Sequence, residues 1–90
     1  MIDTITVKIM SPVALVWETQ ALSVSAENSE GVFDILPDHA RFMTLVSNMP
    51  LTVELPDAPA KTFTFENAIL FFEENTAVIY IQETLQKIAQ

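Results

Sequence analysis

Thr4-Ile5-Thr6-Val7-Lys8-Ile9 alternates strictly between polar and apolar side chains, setting Ile5, Val7 and Ile9 on one face and Thr4, Thr6 and Lys8 on the other. A period of two reads as a half-buried β-strand, because successive side chains leave a pleated backbone on opposite sides. Ser11-Pro12 interrupts it. Outward from that stretch, β-rich runs recur at 13–17, 21–26, 32–36, 42–46, 51–55, 62–65, 68–72 and 77–81. Nine short strands at near-regular spacing predict an all-β sandwich or barrel. Turn chemistry falls between the runs: Leu36-Pro37-Asp38-His39, Leu55-Pro56-Asp57 and Glu74-Asn75. Only residues 83–90 look helical. There is no internal repeat, and the short Pro56-Asp57-Ala58-Pro59-Ala60 loop suits a stiff hairpin connection better than a domain linker.

Gly31 is the only glycine, although the turns of an all-β chain need positive φ, which glycine supplies with least strain. Asn28, Asp34, Asp38, Asn48, Asn67 and Asn75 stand at or near the predicted turns and are the residue types that best tolerate that region. Several strands are apolar on both faces, 68–72 and 42–46 among them. Leu70 and Phe72 oppose Ile69 and Phe71, while Phe42 and Val46 oppose Met43 and Leu45. A two-layer sandwich has an inside for one set only. The other set is covered by loops or the terminal helix, or lies outside as a patch of the kind that marks a protein contact.

Composition narrows the function classes. The 90 residues carry a formal net charge of −8, half are apolar, and none is cysteine. One core fits in such a length. A disulfide framework, thiolate zinc, an iron–sulfur cluster and a cysteine nucleophile are all excluded. The longest apolar runs, such as Ala68-Ile69-Leu70-Phe71-Phe72, fall far short of the roughly 18–20 residues that span a bilayer as a helix. No membrane insertion is expected. Met1-Ile2-Asp3-Thr4 has neither secretory nor transit character and reads as a cytoplasmic start. Excess carboxylate repels phosphate backbones, and Lys8, Arg41, Lys61 and Lys87 are too scattered to form a basic stripe, so nucleic acid is not an expected partner.

One glycine rules out a dinucleotide fingerprint or a phosphate loop. One histidine, His39, rules out His-pair metal motifs and two-histidine catalysis. No Gly-x-Ser-x-Gly elbow accompanies it, and His39 in a Pro-Asp-His turn is read as structural or as a contact. Trp17 reads as core, and Glu73-Glu74 as solvated turn residues. Glu27 and Glu30 flank Asn28-Ser29 in a polar loop where a carboxylate stays hydrated and can meet a basic partner. No catalytic residue, metal site or cofactor is assigned.

The stretch Ser29-Glu30-Gly31-Val32-Phe33-Asp34-Ile35-Leu36-Pro37-Asp38-His39-Ala40, followed by Thr44, resembles the epsilon subunits of F-type ATP synthases. Their pattern there is Gly-Ser-Glu-Gly-x-apolar-Gly-apolar-apolar-Pro-Gly-His-Ala-Pro. Ser29, Glu30, Gly31, Pro37, His39 and Ala40 match, while Asn28, Asp34 and Asp38 stand where the family has glycines. Ser11-Pro12 with the strand ending in Trp17 fits the family's start. Phe65-Glu66-Asn67-Ala68-Ile69-Leu70 resembles a segment that usually carries Ser-Gly-Gly.

The resemblance implies a two-sheet β-sandwich of about ten short strands over residues 1–82, with a short carboxy-terminal helical stump at 83–90. It implies a non-catalytic central-stalk subunit of an ATP synthase, joining the gamma subunit to the c-ring for rotational coupling. The expected location is peripheral, on the cytoplasmic face of a bacterial membrane. Ser11, His39 and Thr44 correspond to residues near gamma, and Glu30 to the loop glutamate that reaches the c-ring. Family members continue into an inhibitory two-helix domain, so a chain stopping at Gln90 is expected to lack autoinhibition and ATP sensing. A second reading keeps the fold but makes it a free-standing adaptor for another protein. A third, a small hydrolase, requires His39 beside an unassigned nucleophile.

Overall fold

Strand formation follows the period-two pattern closely enough that every one of the nine sequence runs has a strand counterpart in the structure, a computed structural model describing residues 4–82. In chain order they are β1 (Ile5–Met10), β2 (Leu15–Ala21), β3 (Ser23–Asn28), β4 (Gly31–Ile35), β5 (Phe42–Val46), β6 (Pro50–Glu54), β7 (Lys61–Thr64), β8 (Ala68–Glu73) and β9 (Thr76–Ile81). They form a five-stranded sheet, β2-β1-β9-β8-β5, and a four-stranded sheet, β4-β3-β6-β7. This is the sandwich and not the barrel. The expected count of about ten becomes nine among the described residues. The helical stump expected at 83–90 lies outside them.

Two strands, β2 and β3, depart from the sequence reading by more than one residue at an end, each for a tertiary reason. The run 21–26 is not one strand: Ala21 ends β2 in the first sheet and Ser23 begins β3 in the second. Leu22 is the corner, its N–H donating to the carbonyl of Glu54 at 2.7 Å. The second strand also starts later than Val13 and continues through the polar Glu18-Thr19-Gln20, because β1 supplies a partner for each of those residues, Lys8 for Glu18 and Thr6 for Gln20. Pairing with a neighbour holds extended backbone that hydrophobic periodicity alone would not mark.

Between the sheets lie Ile5, Val7, Ile9, Val24, Ile35, Val46, Leu51, Val53, Phe65, Leu70, Phe72 and Ile79, all fully buried. Each is the inward member of an alternating pair, as the sandwich requires. Two aromatic pairs pack between the sheets at their margins. Trp17 of β2 meets Phe63 of β7 with ring centroids 5.1 Å apart, and Phe33 of β4 meets Phe42 of β5 at 5.2 Å in an edge-on arrangement. These geometries suit the aromatic quadrupole and cover the core where each sheet runs out of strands. Where the chain crosses between sheets, Ser47 Oγ donates to the carbonyl of Glu66 at 2.9 Å and Asn48 N to that of Phe65 at 2.9 Å, tying the β5–β6 and β7–β8 crossings together.

Positive φ falls at Asp38, Asn48, Glu74 and Asn75 besides Gly31. Asp38, Asn48 and Asn75 therefore do supply what glycine usually supplies. Asn28, Asp34 and Asn67 do not: Asn28 closes β3, and Asp34 lies inside β4 with its side chain outward, accepting a hydrogen bond from Ser25 Oγ. Glu74 and Asn75 form a two-residue hairpin between the paired Glu73 and Thr76, both with the positive φ that a type I′ turn demands and that matches strand twist. At the β3–β4 hairpin, Ser29 and Glu30 keep negative φ and Gly31 alone takes +125°. A Cβ there would meet nothing within 4 Å, so strain is the whole cost of adding one. Gly31→Ala is expected to destabilise by about 1–3 kcal/mol. A thermal melt should fall by at least about 4 °C, and an unchanged melt would show that the backbone relaxes freely.

Candidate interaction surface

The register of the five-stranded sheet sorts its outward side chains into rows running across the strands. One row is polar: Gln20, Thr6, Thr76 and Glu73. Here Gln20 Nε2 donates to Thr6 Oγ1 at 2.9 Å, and Arg41 pairs with Glu73 at 2.8 Å. That ion pair is solvent-exposed and contributes about 1 kcal/mol at most. The next row begins with Glu18 and Lys8 and becomes apolar at Val78, Phe71 and Met43. The third is apolar throughout: Met10, Tyr80, Ile69 and Leu45.

Together these rows make a continuous apolar area on one half of the outer face. Met43 is 67% exposed, Leu45 56%, Tyr80 49% and Ile69 47%. Such an area, rimmed by polar residues, is the mark of a protein contact. The outer face of the four-stranded sheet is different. It carries Ser25, Glu27, Asp34, Thr52, Glu54, Thr62 and Thr64, with Val32 as its isolated apolar member. One sheet thus presents a half-apolar outer face and the other an almost wholly polar one.

Ser11 follows β1 at the apolar end of the face. Its hydroxyl organises the 11–14 loop, accepting from Val13 N at 3.3 Å and Ala14 N at 3.2 Å while its backbone N–H donates to the carbonyl of Ala14 at 2.9 Å. His39 lies at the opposite end of the sheet, preceding β5. Its Nδ1 is 2.8 Å from the carbonyl of Ala40 and therefore carries the proton. Its ring stands edge-on to Phe42 and Phe72, both at 5.8 Å. The turn that holds it is clamped to the β8–β9 hairpin: Asp38 N donates to Asn75 Oδ1 at 2.6 Å, and Asn75 Nδ2 to Asp38 Oδ1 at 3.3 Å.

Thr44 sits on β5 between Met43 and Leu45, but it shares the inward register with Phe42 and Val46. Its Oγ1 accepts from Asn28 Nδ2 at 3.0 Å. Asn28 in turn accepts from Glu30 N at 2.8 Å. The structure therefore brings Thr44 and Glu30 to one corner, through Asn28, and leaves Ser11 and His39 at opposite ends of the sheet. Glu30 itself is exposed at the hairpin tip.

Sequence reasoning divided the apolar residues of β5 and β8 into two faces without deciding which face points out; the structure turns Met43, Leu45, Ile69 and Phe71 outward. The same reasoning missed Met10, Val78 and Tyr80, whose membership depends on β9 lying between β1 and β8. The signal available was Val78 and Tyr80 alternating with the inward Ala77, Ile79 and Ile81, a further strand with apolar side chains on both faces.

Residues 4–87 match the family described as ATP synthase, Delta/Epsilon chain, beta-sandwich domain. The ATP synthase epsilon chain of Ureaplasma urealyticum is 34% identical over 74 residues, 81% of this chain and 54% of the relative. That of Nitratiruptor sp. is 28% identical over 80 residues, 89% of this chain and 62% of the relative. The chain thus spans little more than half the length of these relatives. In fold it is similar to a chain of the Euglena gracilis mitochondrial ATP synthase, solved as OSCP/F1/c-ring (TM-score 0.82, 12% identity, 92% of this chain and 53% of that one). It is also similar to one in the Tetrahymena thermophila mitochondrial enzyme, solved as central stalk/c-ring (TM-score 0.71, 13% identity, 87% and 63%).

Proposed function

The chain belongs to the family of ATP synthase delta/epsilon-chain β-sandwich domains, and from that membership we propose that it is a non-catalytic subunit of the central stalk. In this reading it grips the gamma subunit with the outer face of its five-stranded sheet and meets the c-ring through the Glu30 hairpin. The observation that carries the reading is the asymmetry of the two outer faces, one apolar across Met43, Leu45, Ile69, Phe71 and Tyr80, the other polar. A partner surface covering the first removes apolar area from water, the dominant favourable contribution to association. Ser11 and His39 stand at the two ends of that face as contacts to gamma, and Thr44 supports it from β5. The subunit reaches the membrane only through the assembly, as a peripheral component.

Transmission of torque needs a body that does not open under load. A dense interior of Ile, Val, Leu and Phe at close-packed density, with aromatic pairs covering its margins, supports that role. Glu30 contributes charge and hydrogen-bond acceptors to polar or basic loops of the ring.

Titration of the full chain against the gamma subunit of the same organism tests the grip. Submicromolar binding is expected, and a well-folded chain that does not bind would shift the function to an adaptor for another protein. Glu30→Ala is expected to weaken binding to the isolated c-ring by about tenfold, with an unchanged melting temperature. Unfolding by that substitution would show that Glu30 is not a solvated contact residue.

A further inference from the structure

We infer that Asn28 is the positioning residue for Glu30, and that Thr44 acts through it, so that the hairpin offered to the c-ring is braced against the strand that carries part of the gamma grip. This rests on the reading of Glu30 as the ring contact. The side-chain amide of Asn28 uses both its ends. Oδ1 accepts from Glu30 N at 2.8 Å, and Nδ2 donates to Thr44 Oγ1 at 3.0 Å. Because a backbone N–H only donates, the oxygen must face Glu30, and the amide orientation follows from chemistry. Asn28 and Thr44 are half-buried while Glu30 is exposed.

Asn28 closes β3 in the four-stranded sheet, whereas Thr44 lies on β5 in the five-stranded one. The bond between them therefore joins the two layers at the base of the Glu30 turn. Above it, the backbone at Glu30 is held, and its carboxylate makes no hydrogen bond or ion pair among the described residues. A fixed backbone with an uncommitted charge is a preorganised contact, since the ordering cost of the turn is met before the partner arrives. On the other side of β5, Met43 and Leu45 point into the apolar face. Asn28 thus links the two proposed contact regions through a single side chain.

The test uses the full chain and the isolated c-ring, measuring affinity for Asn28→Gly, Thr44→Val, Thr44→Ser and Glu30→Ala, with Asn28→Gly/Glu30→Ala as a double-mutant cycle. Asn28→Gly keeps the backbone permissive while removing the amide, and is expected to weaken ring binding about five- to tenfold. Thr44→Val should weaken it in the same direction, and Thr44→Ser should restore the wild-type value. In the Glu30→Ala background, Asn28→Gly should add nothing, because a positioning residue has no effect without the group it positions. Hydrogen exchange at the Glu30 amide of the free chain should quicken about tenfold in Asn28→Gly.

Losses that add fully in the double mutant would overturn the inference. So would wild-type affinity in Asn28→Gly and Thr44→Val while Glu30→Ala binds weakly, an outcome that leaves the Glu30 contact standing. If Glu30→Ala binds as wild type, the contact reading fails and the inference falls with it. The exchange measurement then reports separately whether the brace exists.

Discussion

Ile69→Glu is expected to weaken binding to the gamma subunit by at least about a hundredfold while leaving the melting temperature within a few degrees of the parent. Ile69 occupies the third outward row of the five-stranded sheet, between Tyr80 on β9 and Leu45 on β5, and β8 has a neighbour on both sides. A glutamate there remains hydrated in the free chain, because 47% of the isoleucine is already exposed. Once a partner covers the face, the same carboxylate is taken out of water with apolar neighbours. An uncompensated buried charge costs several kcal/mol, and about 2.7 kcal/mol suffices for a hundredfold loss. The matched control is Thr64→Glu on the outer face of β7, which is expected to bind as the parent does. Equal binding by both variants would remove the apolar face from the interface, and equal loss would show that net charge, not location, governs association.

The second large effect lies in the interior. Phe72→Ala is expected to cost about 3–5 kcal/mol, the usual penalty for emptying a buried aromatic site. That is a third or more of the total stability of many domains of this size. Phe72 is fully buried, pairs with Phe42 and Ala77 across its two strand neighbours, and receives the His39 ring edge-on. Its neighbour Phe71 points outward on the same strand and is only half-buried. Phe71→Ala is therefore expected to cost less than half as much. Urea titrations decide it: a large fall in midpoint for Phe72→Ala with an unchanged slope, and a small one for Phe71→Ala. Similar midpoints for the two would contradict the inward and outward assignment of β8.

Much of the architecture was legible in the residues because its signals are local. Alternation in 4–9, the two-sided apolar runs at 42–46 and 68–72, and the Glu74-Asn75 turn each involve neighbours in sequence and so survive without coordinates. Asn and Asp standing in for glycine held at Asp38, Asn48 and Asn75, where a left-handed residue is required by the turn itself. It failed at Asn28, Asp34 and Asn67: the Asn28 amide serves Glu30 N and Thr44 instead, and an aspartate on the wet face of β4 is equally satisfied by a hydroxyl donor from β3. The single run at 21–26 hid a change of sheet at Leu22, because both halves are β-forming and only their partners differ.

The candidate surface was half legible for the same reason. Glu30, His39 and Ser11 were named through the resemblance, and alternation set Met43, Leu45, Ile69 and Phe71 apart from their strand neighbours without deciding which set faces outward. Thr44 was placed by resemblance alone. Its inward register and its bond to Asn28 depend on β3 reaching across to β5, which no spacing in the chain announces.

By itself, then, the sequence determined an all-β chain of short strands and the turns between them, because backbone alternation and φ preference are properties of adjacent residues. The tertiary structure alone decided that β9 runs parallel to β1 and brings Met10, Tyr80, Ile69 and Leu45 into one row. It also decided that one outer face is apolar over half its extent and the other is wet. Those outcomes depend on which strands pair and in what register, and register is set by burying one side of every strand at once, a condition on the whole core that no single segment carries.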